Sequence, residues 1–135
     1  MNLIIKKTIM PGEYKELLKD SNWPLIRDFE IKELLVNSKY KIAIYDDSNL
    51  VGMARCITDN IKIFFLCDVI VKKEYQGKKI GSLLVNSLID IIKDDNKNNS
   101  ELNIYIMSIK GKEGFYEKLG FKKDIKTGLT YYRGN

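Results

Sequence analysis

The stretch from Ile61 to Ser82 constrains the fold more than any other part of the chain. Ile61 to Val71 is the most apolar run, broken only by Lys62 and Asp68. Its length and β-branched content predict a central strand buried on both faces. A short basic loop bearing a glycine follows, and then Ile80, Leu83, Leu84, Leu88 and Ile91 recur at three- and four-residue steps. That spacing predicts an amphipathic helix from Ile80 to about Lys93. A buried strand that turns tightly into a helix packed back on it is a building unit of layered α/β folds.

The flanking residues extend the pattern. Asn2 to Ile9 reads as a strand, Pro11 and Gly12 break it, and helices are expected from about Glu13 to Lys19 and from about Leu25 to Val36. Tyr40 to Tyr45 and Leu50 to Ile57 are β-rich and flank Asp46, Asp47, Ser48 and Asn49, which predicts a hairpin. Thr58 to Asn60 forms a second turn. Beyond the amphipathic helix, Leu102 to Ile106 is a short strand and Gly111 to Leu119 a short helix, with Gly120 as its left-handed stop. Phe121 to Ile125 and Leu129 to Arg133 are expected to close the sheet as a pair of strands. The order of elements implies a mixed α/β sheet packed between helices.

A chain of 135 residues with 44% hydrophobic content fits one domain, residues 1–135, with a real core. No stretch approaches the ~20 apolar residues that span a bilayer, and the N-terminus does not build a signal-peptide core. The expected location is cytoplasmic, without a membrane partner. The net charge of +5 sets 23 Lys and Arg against 18 Asp and Glu, mostly dispersed singly, which reads as a solvated basic surface without a nucleic-acid partner. Cys56 and Cys67 lie in apolar runs as small hydrophobes, too few for a disulfide framework. Histidine is absent. That excludes Ser/His/Asp and Cys/His catalysis and His-based zinc, no metal is expected, and acid–base work falls to Asp, Glu, Tyr, Lys, Cys or water.

The segment Val69 to Ser82 carries the chemistry. The first N–H groups of a helix have no internal partner and sit at the positive end of its dipole, so a phosphate there is hydrogen-bonded and electrostatically favoured. Gly77 and Gly81 permit close backbone approach, and Lys78 and Lys79 add positive charge. On local chemistry alone, an ordinary strand-to-helix turn explains the same glycines.

Gln76-Gly77-Lys78-Lys79-Ile80-Gly81 resembles the acyl-CoA pyrophosphate loop of GNAT acetyltransferases, Q/R-x-x-G-x-G/A. Gln76 and Gly81 match, Gly77 repeats a common second residue, and Lys79 stands where the pattern has its first glycine. Gly114 to Phe121 is similar to the F-Y-x-x-x-G-F helix that follows the fifth GNAT strand. Leu50 to Arg55 resembles the third strand and Asp68 to Val71 the fourth, so the resemblance covers nearly the whole chain.

The resemblance implies a GNAT-like α/β (α+β) fold, with a mixed, mostly antiparallel central sheet, about four flanking helices and splayed central strands. It implies acetyl-CoA as acyl donor, with Val69, Ile70, Val71, Gln76, Gly77, Lys78, Lys79, Ile80, Gly81 and Ser82 as cofactor-binding residues. Direct attack by a primary amine follows, with Tyr116 as the proton donor to the departing thiolate. Tyr116 also reads as a core aromatic beside Phe115. Asp68 is the candidate base; a carboxylate tied up by neighbours, with a water relay in its place, is the other reading. Tyr14 and Trp23 are candidate substrate-binding residues, and with Asp20, Asp28 and Glu30 would form one side of an acidic, aromatic pocket for a small-molecule amine. Ser108 and Lys110 are weaker candidates. Two alternatives stand beside this function: a CoA-binding regulatory or interaction module, and an enzyme acting on protein or peptide amines. A homodimer is left open.

Overall fold

The computed structural model describes residues 1–134. In chain order the elements are β1 (Leu3–Lys6), α1 (Pro11–Asp20), α2 (Asp28–Val36), β2 (Tyr40–Asp46), β3 (Asn49–Thr58), β4 (Phe64–Val71), α3 (Ile80–Asp95), β5 (Ile104–Ile106) and α4 (Glu113–Lys118). A single 3-10 turn, Lys73–Tyr75, links β4 to α3. The five strands lie in sequence order; β1 to β4 pair antiparallel, and β4 pairs parallel with β5. This is the mixed, mostly antiparallel sheet with four helices that the motifs imply. Among the described residues no helix is long and apolar enough to cross a membrane.

The period-two alternation of β2 and β3 builds two cores, one on each face. Ile42, Ile44, Val51, Ala54 and Cys56 face α3, where Ile80, Leu84, Val85, Leu88 and Ile92 are buried. Ala43, Tyr45, Leu50 and Met53 face α1 and α2, against Tyr14, Leu17, Leu18, Ile31 and Leu35. Each fully buried aliphatic side chain stabilises the fold by about 1.5–3 kcal/mol relative to exposure. Gly52 sets how close α3 lies: a Cβ there would sit 3.0 Å from Leu84 Cδ1 and 3.1 Å from the Ile70 carbonyl oxygen.

The structure corrects three expectations. β4 begins at Phe64, not Ile61. The Asp59 carboxylate takes the backbone N–H groups of Ile61, Lys62 and Ile63 at 2.8–3.0 Å, so those donors cannot serve a strand ladder. Nor is β4 buried on both faces: Phe64, Leu66 and Ile70 are buried, while Phe65, Cys67, Asp68, Val69 and Val71 are only partly covered. The segments Phe121 to Ile125 and Leu129 to Arg133 form no strands. Ile125 and Leu129 are 99% and 92% exposed, and the three-residue β5 gives them no long edge to pair with.

Three features position the site. The ladder of β4 with β5 covers only Phe64, Phe65 and Leu66 against Ile104, Tyr105 and Ile106, although β4 runs on to Val71. Past Leu66 the two strands part. α3 begins behind Lys79, whose φ of 65° is left-handed. α4 is closed by Gly120 (φ 101°) just beyond its end, where the N–H of Phe121 reaches the Tyr116 carbonyl and that of Gly120 the Glu117 carbonyl. The two bonds make a Schellman cap, and the Phe121 ring packs edge-on against Tyr116.

Gly52→Ala should destabilise the protein by about 1–3 kcal/mol, read as a lower denaturant midpoint at unchanged slope. A left-handed conformation costs a non-glycine residue about 1–2 kcal/mol, offset in part by the greater unfolded-state entropy of glycine. Lys79→Gly should therefore raise stability, by up to about 1 kcal/mol, in melts without ligand.

Candidate active site

The loop from β4 to α3 is held from several sides. The Lys72 N–H bonds the Val51 carbonyl at 2.8 Å and fixes the end of β4 to β3. The Asp20 carboxylate, at the end of α1, accepts the Lys73 N–H at 2.8 Å. The Tyr75 hydroxyl donates to Asp46 at 2.8 Å, and the Gln76 side-chain amide donates back to the Val71 carbonyl at 3.2 Å. The Asn2 N–H and the Tyr75 hydroxyl hold the Asp46 carboxyl below its ordinary pKa, so it stays a charged acceptor.

So anchored, the loop exposes backbone. Gly77 turns it with φ 78°, and nothing lies within 4 Å of where its Cβ would be. The first helical bond of α3 runs from Leu83 N–H to the Lys79 carbonyl, which leaves the N–H groups of Ile80, Gly81 and Ser82 outside the helical ladder. An open turn, free N–H groups and a positive helix end form a cradle that suits a pyrophosphate.

The parting of β4 and β5 opens a cleft of about 800 Å3. One wall is Cys67 to Val71, another is Ile106, Met107, Phe115 and Tyr116, one end is the loop Gln76 to Ser82, and Ser21 and Trp23 line it from the α1–α2 connection. A larger hollow of about 970 Å3 runs along β5, α4 and residues 120–126. It meets neither Asp68 nor the loop, so the smaller cleft is the candidate site.

Tyr116 lines the cleft beside Phe115, its ring edge-on at 4.9 Å. Among the described residues its hydroxyl has no hydrogen-bond partner, and burial raises its pKa above the ordinary phenol value. It is a protonated, free donor at neutral pH. Asp68 lines the cleft from β4 with a φ of 53°. Its Oδ2 accepts the Tyr14 hydroxyl and the Arg55 Nε–H, each at 2.6 Å. Burial first, then the bond to Asp68, raise the Tyr14 pKa, so its phenol remains a donor. Burial also raises the Cys67 thiol, which disfavours the thiolate a covalent nucleophile needs.

The cleft thus brings together Tyr116, Asp68, Val69, Ile70, Val71, Gln76, Gly77, Lys79, Ile80, Gly81, Ser82 and Trp23. Lys78 stands apart from its lining, with its ammonium 5.2 Å from the Tyr75 ring centroid. Tyr14 is 2% exposed and reaches the site only through Asp68. A Cβ on Gly81 would meet the Phe115 ring at 3.2 Å, so this glycine admits α4 as well as a ligand. The acidic pocket expected from Asp20, Asp28 and Glu30 is not formed: Asp20 holds Lys73, Asp28 pairs with Lys15 and Glu30 with Arg27. Ser108 and Lys110 lie off the cleft lining. The sequence reading missed Arg55, Tyr75 and Ser21. Their roles come from pairings such as Tyr75 with Asp46, far apart in sequence, for which no local pattern exists.

The sequence pattern of the acetyltransferase (GNAT) domain matches residues 24–130. The chain is 28% identical over 123 residues to an uncharacterized N-acetyltransferase, ycf52, of Pyropia yezoensis, covering 87% of this chain and 68% of that one. It is 32% identical over 88 residues to the chloroplastic GCN5-related N-acetyltransferase 2 of Arabidopsis thaliana, covering 64% of this chain but 33% of that one. Its fold superposes with a TM-score of 0.84 on a probable acetyltransferase from Staphylococcus aureus, at 24% identity over 97% of this chain and 98% of that one. The glucosamine-6-phosphate N-acetyltransferase of Arabidopsis thaliana superposes at 0.76 with 16% identity, over 98% and 99% of the two chains. With the domain pattern matched across most of its length, between strands that part around the expected cleft, this chain belongs to the GNAT acetyltransferase family.

Proposed function

We propose that the protein is an N-acetyltransferase that carries an acetyl group from acetyl-CoA to a primary amine of a small molecule by direct attack. One observation carries the reading: the β4 edge beyond its ladder with β5, the residues that begin α3 and Tyr116 all line one cleft. Acetyl-CoA supplies an acetyl group activated as a thioester. The N–H groups of Ile80, Gly81 and Ser82 hydrogen-bond the pyrophosphate, in the field of the α3 dipole and of Lys79. Backbone groups along Val69 to Val71 pair with the pantetheine amides and donate to the carbonyl oxygen as charge builds on it. Tyr116 holds the proton that the thiolate takes as it leaves. The attacking amine also sheds a proton as the new bond forms. Ser21 and Trp23 also line the cleft, from an α1–α2 connection tied down by the Lys73 N–H bond to Asp20, and a cleft covered on this side favours a compact amine over an extended peptide.

Acetyl-CoA should raise the melting temperature, by the equivalent of about 2.7 kcal/mol at a hundredfold excess over Kd. Ser82→Glu places a carboxylate on the first turn of α3, where it favours the helix but repels a phosphate. The ligand-free melt of that variant should hold or rise while the acetyl-CoA shift disappears; a shift equal to that of the unaltered protein would remove the pyrophosphate from this loop.

Tyr116→Phe should lower kcat by about 100-fold or more with little change in the KM for acetyl-CoA, because the hydroxyl acts in the transition state. Since burial raises this phenol, the alkaline fall in kcat should lie above that of an ordinary exposed tyrosine. Release of CoA is to be followed with small amines, aminosugars, polyamines and lysine peptides. Binding of acetyl-CoA without release by any of them would turn the reading to the regulatory module, and a tenfold preference for peptides would replace the small-molecule acceptor.

A further inference from the structure

Asp68 occupies an unusual place in its strand. Arg55 of β3 faces Cys67 and Met53 faces Ile70, so Asp68 and Val69 together stand opposite Ala54. This is a β-bulge: one extra residue bends β4 and re-aims the residues after it. Asp68 makes the bend with a φ of 53°, a conformation that a non-glycine residue keeps only where its surroundings enforce it.

The surroundings converge on one oxygen. Asp68 Oδ2 receives the Tyr14 hydroxyl from α1 and the Arg55 Nε–H from β3, each at 2.6 Å. Arg55 in turn donates through Nη1 to Ser38 Oγ at 3.1 Å, and the Ser38 hydroxyl donates to the Leu34 carbonyl of α2 at 2.7 Å. Tyr14 and Ser38 are 2% and 0% exposed, and the side chains of the Arg55–Asp68 pair are 14% and 18% exposed. The bulge is thus tied to α1, β3 and the end of α2 at the point where β4 leaves β5.

We propose that Asp68 is a positioning residue, which locks the bulge of β4 and so aims the Val69–Val71 edge into the cleft, and that it is not the base that takes the proton of the amine. A base must offer a lone pair to the amine and then hold the proton. Asp68 instead gives its carboxylate to the fold: Oδ2 accepts from Tyr14 and Arg55, and its charge is paired with the guanidinium. The proton leaves through water. This inference rests on the N-acetyltransferase reading.

Both roles predict that Asp68→Ala fails; they separate at Asp68→Asn. Asparagine accepts the same two hydrogen bonds and tolerates the left-handed conformation, but it cannot take up a proton at neutral pH. Asp68→Asn should keep kcat within about threefold, with the acidic limb of its pH profile unmoved, whereas Asp68→Ala should raise the KM for acetyl-CoA about tenfold or more as the edge loses its aim. If Asp68→Asn falls as far as Asp68→Ala while acetyl-CoA binding is intact by calorimetry, Asp68 is the base and the proposal is overturned. Should Asp68→Ala not fold, Tyr14→Phe removes one donor alone. It should raise the KM for acetyl-CoA and leave the acidic limb in place; a moved limb would show Asp68 titrating in turnover, against the proposal. Failure of the enzymatic reading would appear separately, as no CoA release by the unaltered protein. The lock is then read from melts without ligand, where Asp68→Asn, which keeps both hydrogen bonds but loses the charge opposite Arg55, should lie below the unaltered protein and Asp68→Ala well below Asp68→Asn. Equal melts for the two variants would sink it.

Discussion

The ladder between β4 and β5 stops after Leu66 and Ile106, and the cleft exists because it stops there. Had the two strands paired to the end of β4, its backbone groups would be spent on one another and no chain could enter between them. The break is stabilised from the side opposite β5. The Lys72 N–H ties the end of β4 to β3, and Arg55 holds Asp68 across the bulge, so β4 stays with its antiparallel neighbour. A sheet that must open in its middle needs one half to stay rigid. Here β2, β3 and the helices on their two faces supply that half.

Electrostatics divides along the same line. The α3 end of the cleft is positive through the free N–H groups and Lys79, while two carboxylates, Asp20 and Asp46, are turned to bind the loop's own backbone and Tyr75. They fix its shape without lying on the cleft lining. Local charge is thus arranged so that acids hold the scaffold and the helix dipole faces the ligand.

What the sequence discloses is what repeats locally. The 3.6-residue period of α3, the turn formers between β2 and β3, and the left-handed stop at Gly120 each carry their signal within a few residues, and the structure contains all three. The loop from Gln76 to Gly81 is legible for the same reason, because strand, glycine and helix are contiguous. The Asp59 carboxylate erases the start of β4 by a competition between side chain and strand that periodicity does not register. In the sequence Asp68 is an isolated acid in an apolar strand, since its partners lie on α1 and β3, and only the register of the bulge brings them together. The terminal segments read as strands from their β-rich residues, but a strand exists only with an edge to pair with, and β5 is too short to offer one.

The open edge of β4 also bears on what can pair with the sheet. Unpaired strand edges are where foreign strands add and aggregates begin. This edge is not on the rim of the sheet; it faces a gap with β5 and α4 on the far side, where Ile106, Phe115 and Tyr116 line the opposite wall. A β-strand carries side chains on both faces and needs about 4.8 Å to each neighbour and about 10 Å to the next layer. The free backbone of β4 is in this way walled off from strand addition by the side chains of β5 and α4 across the gap.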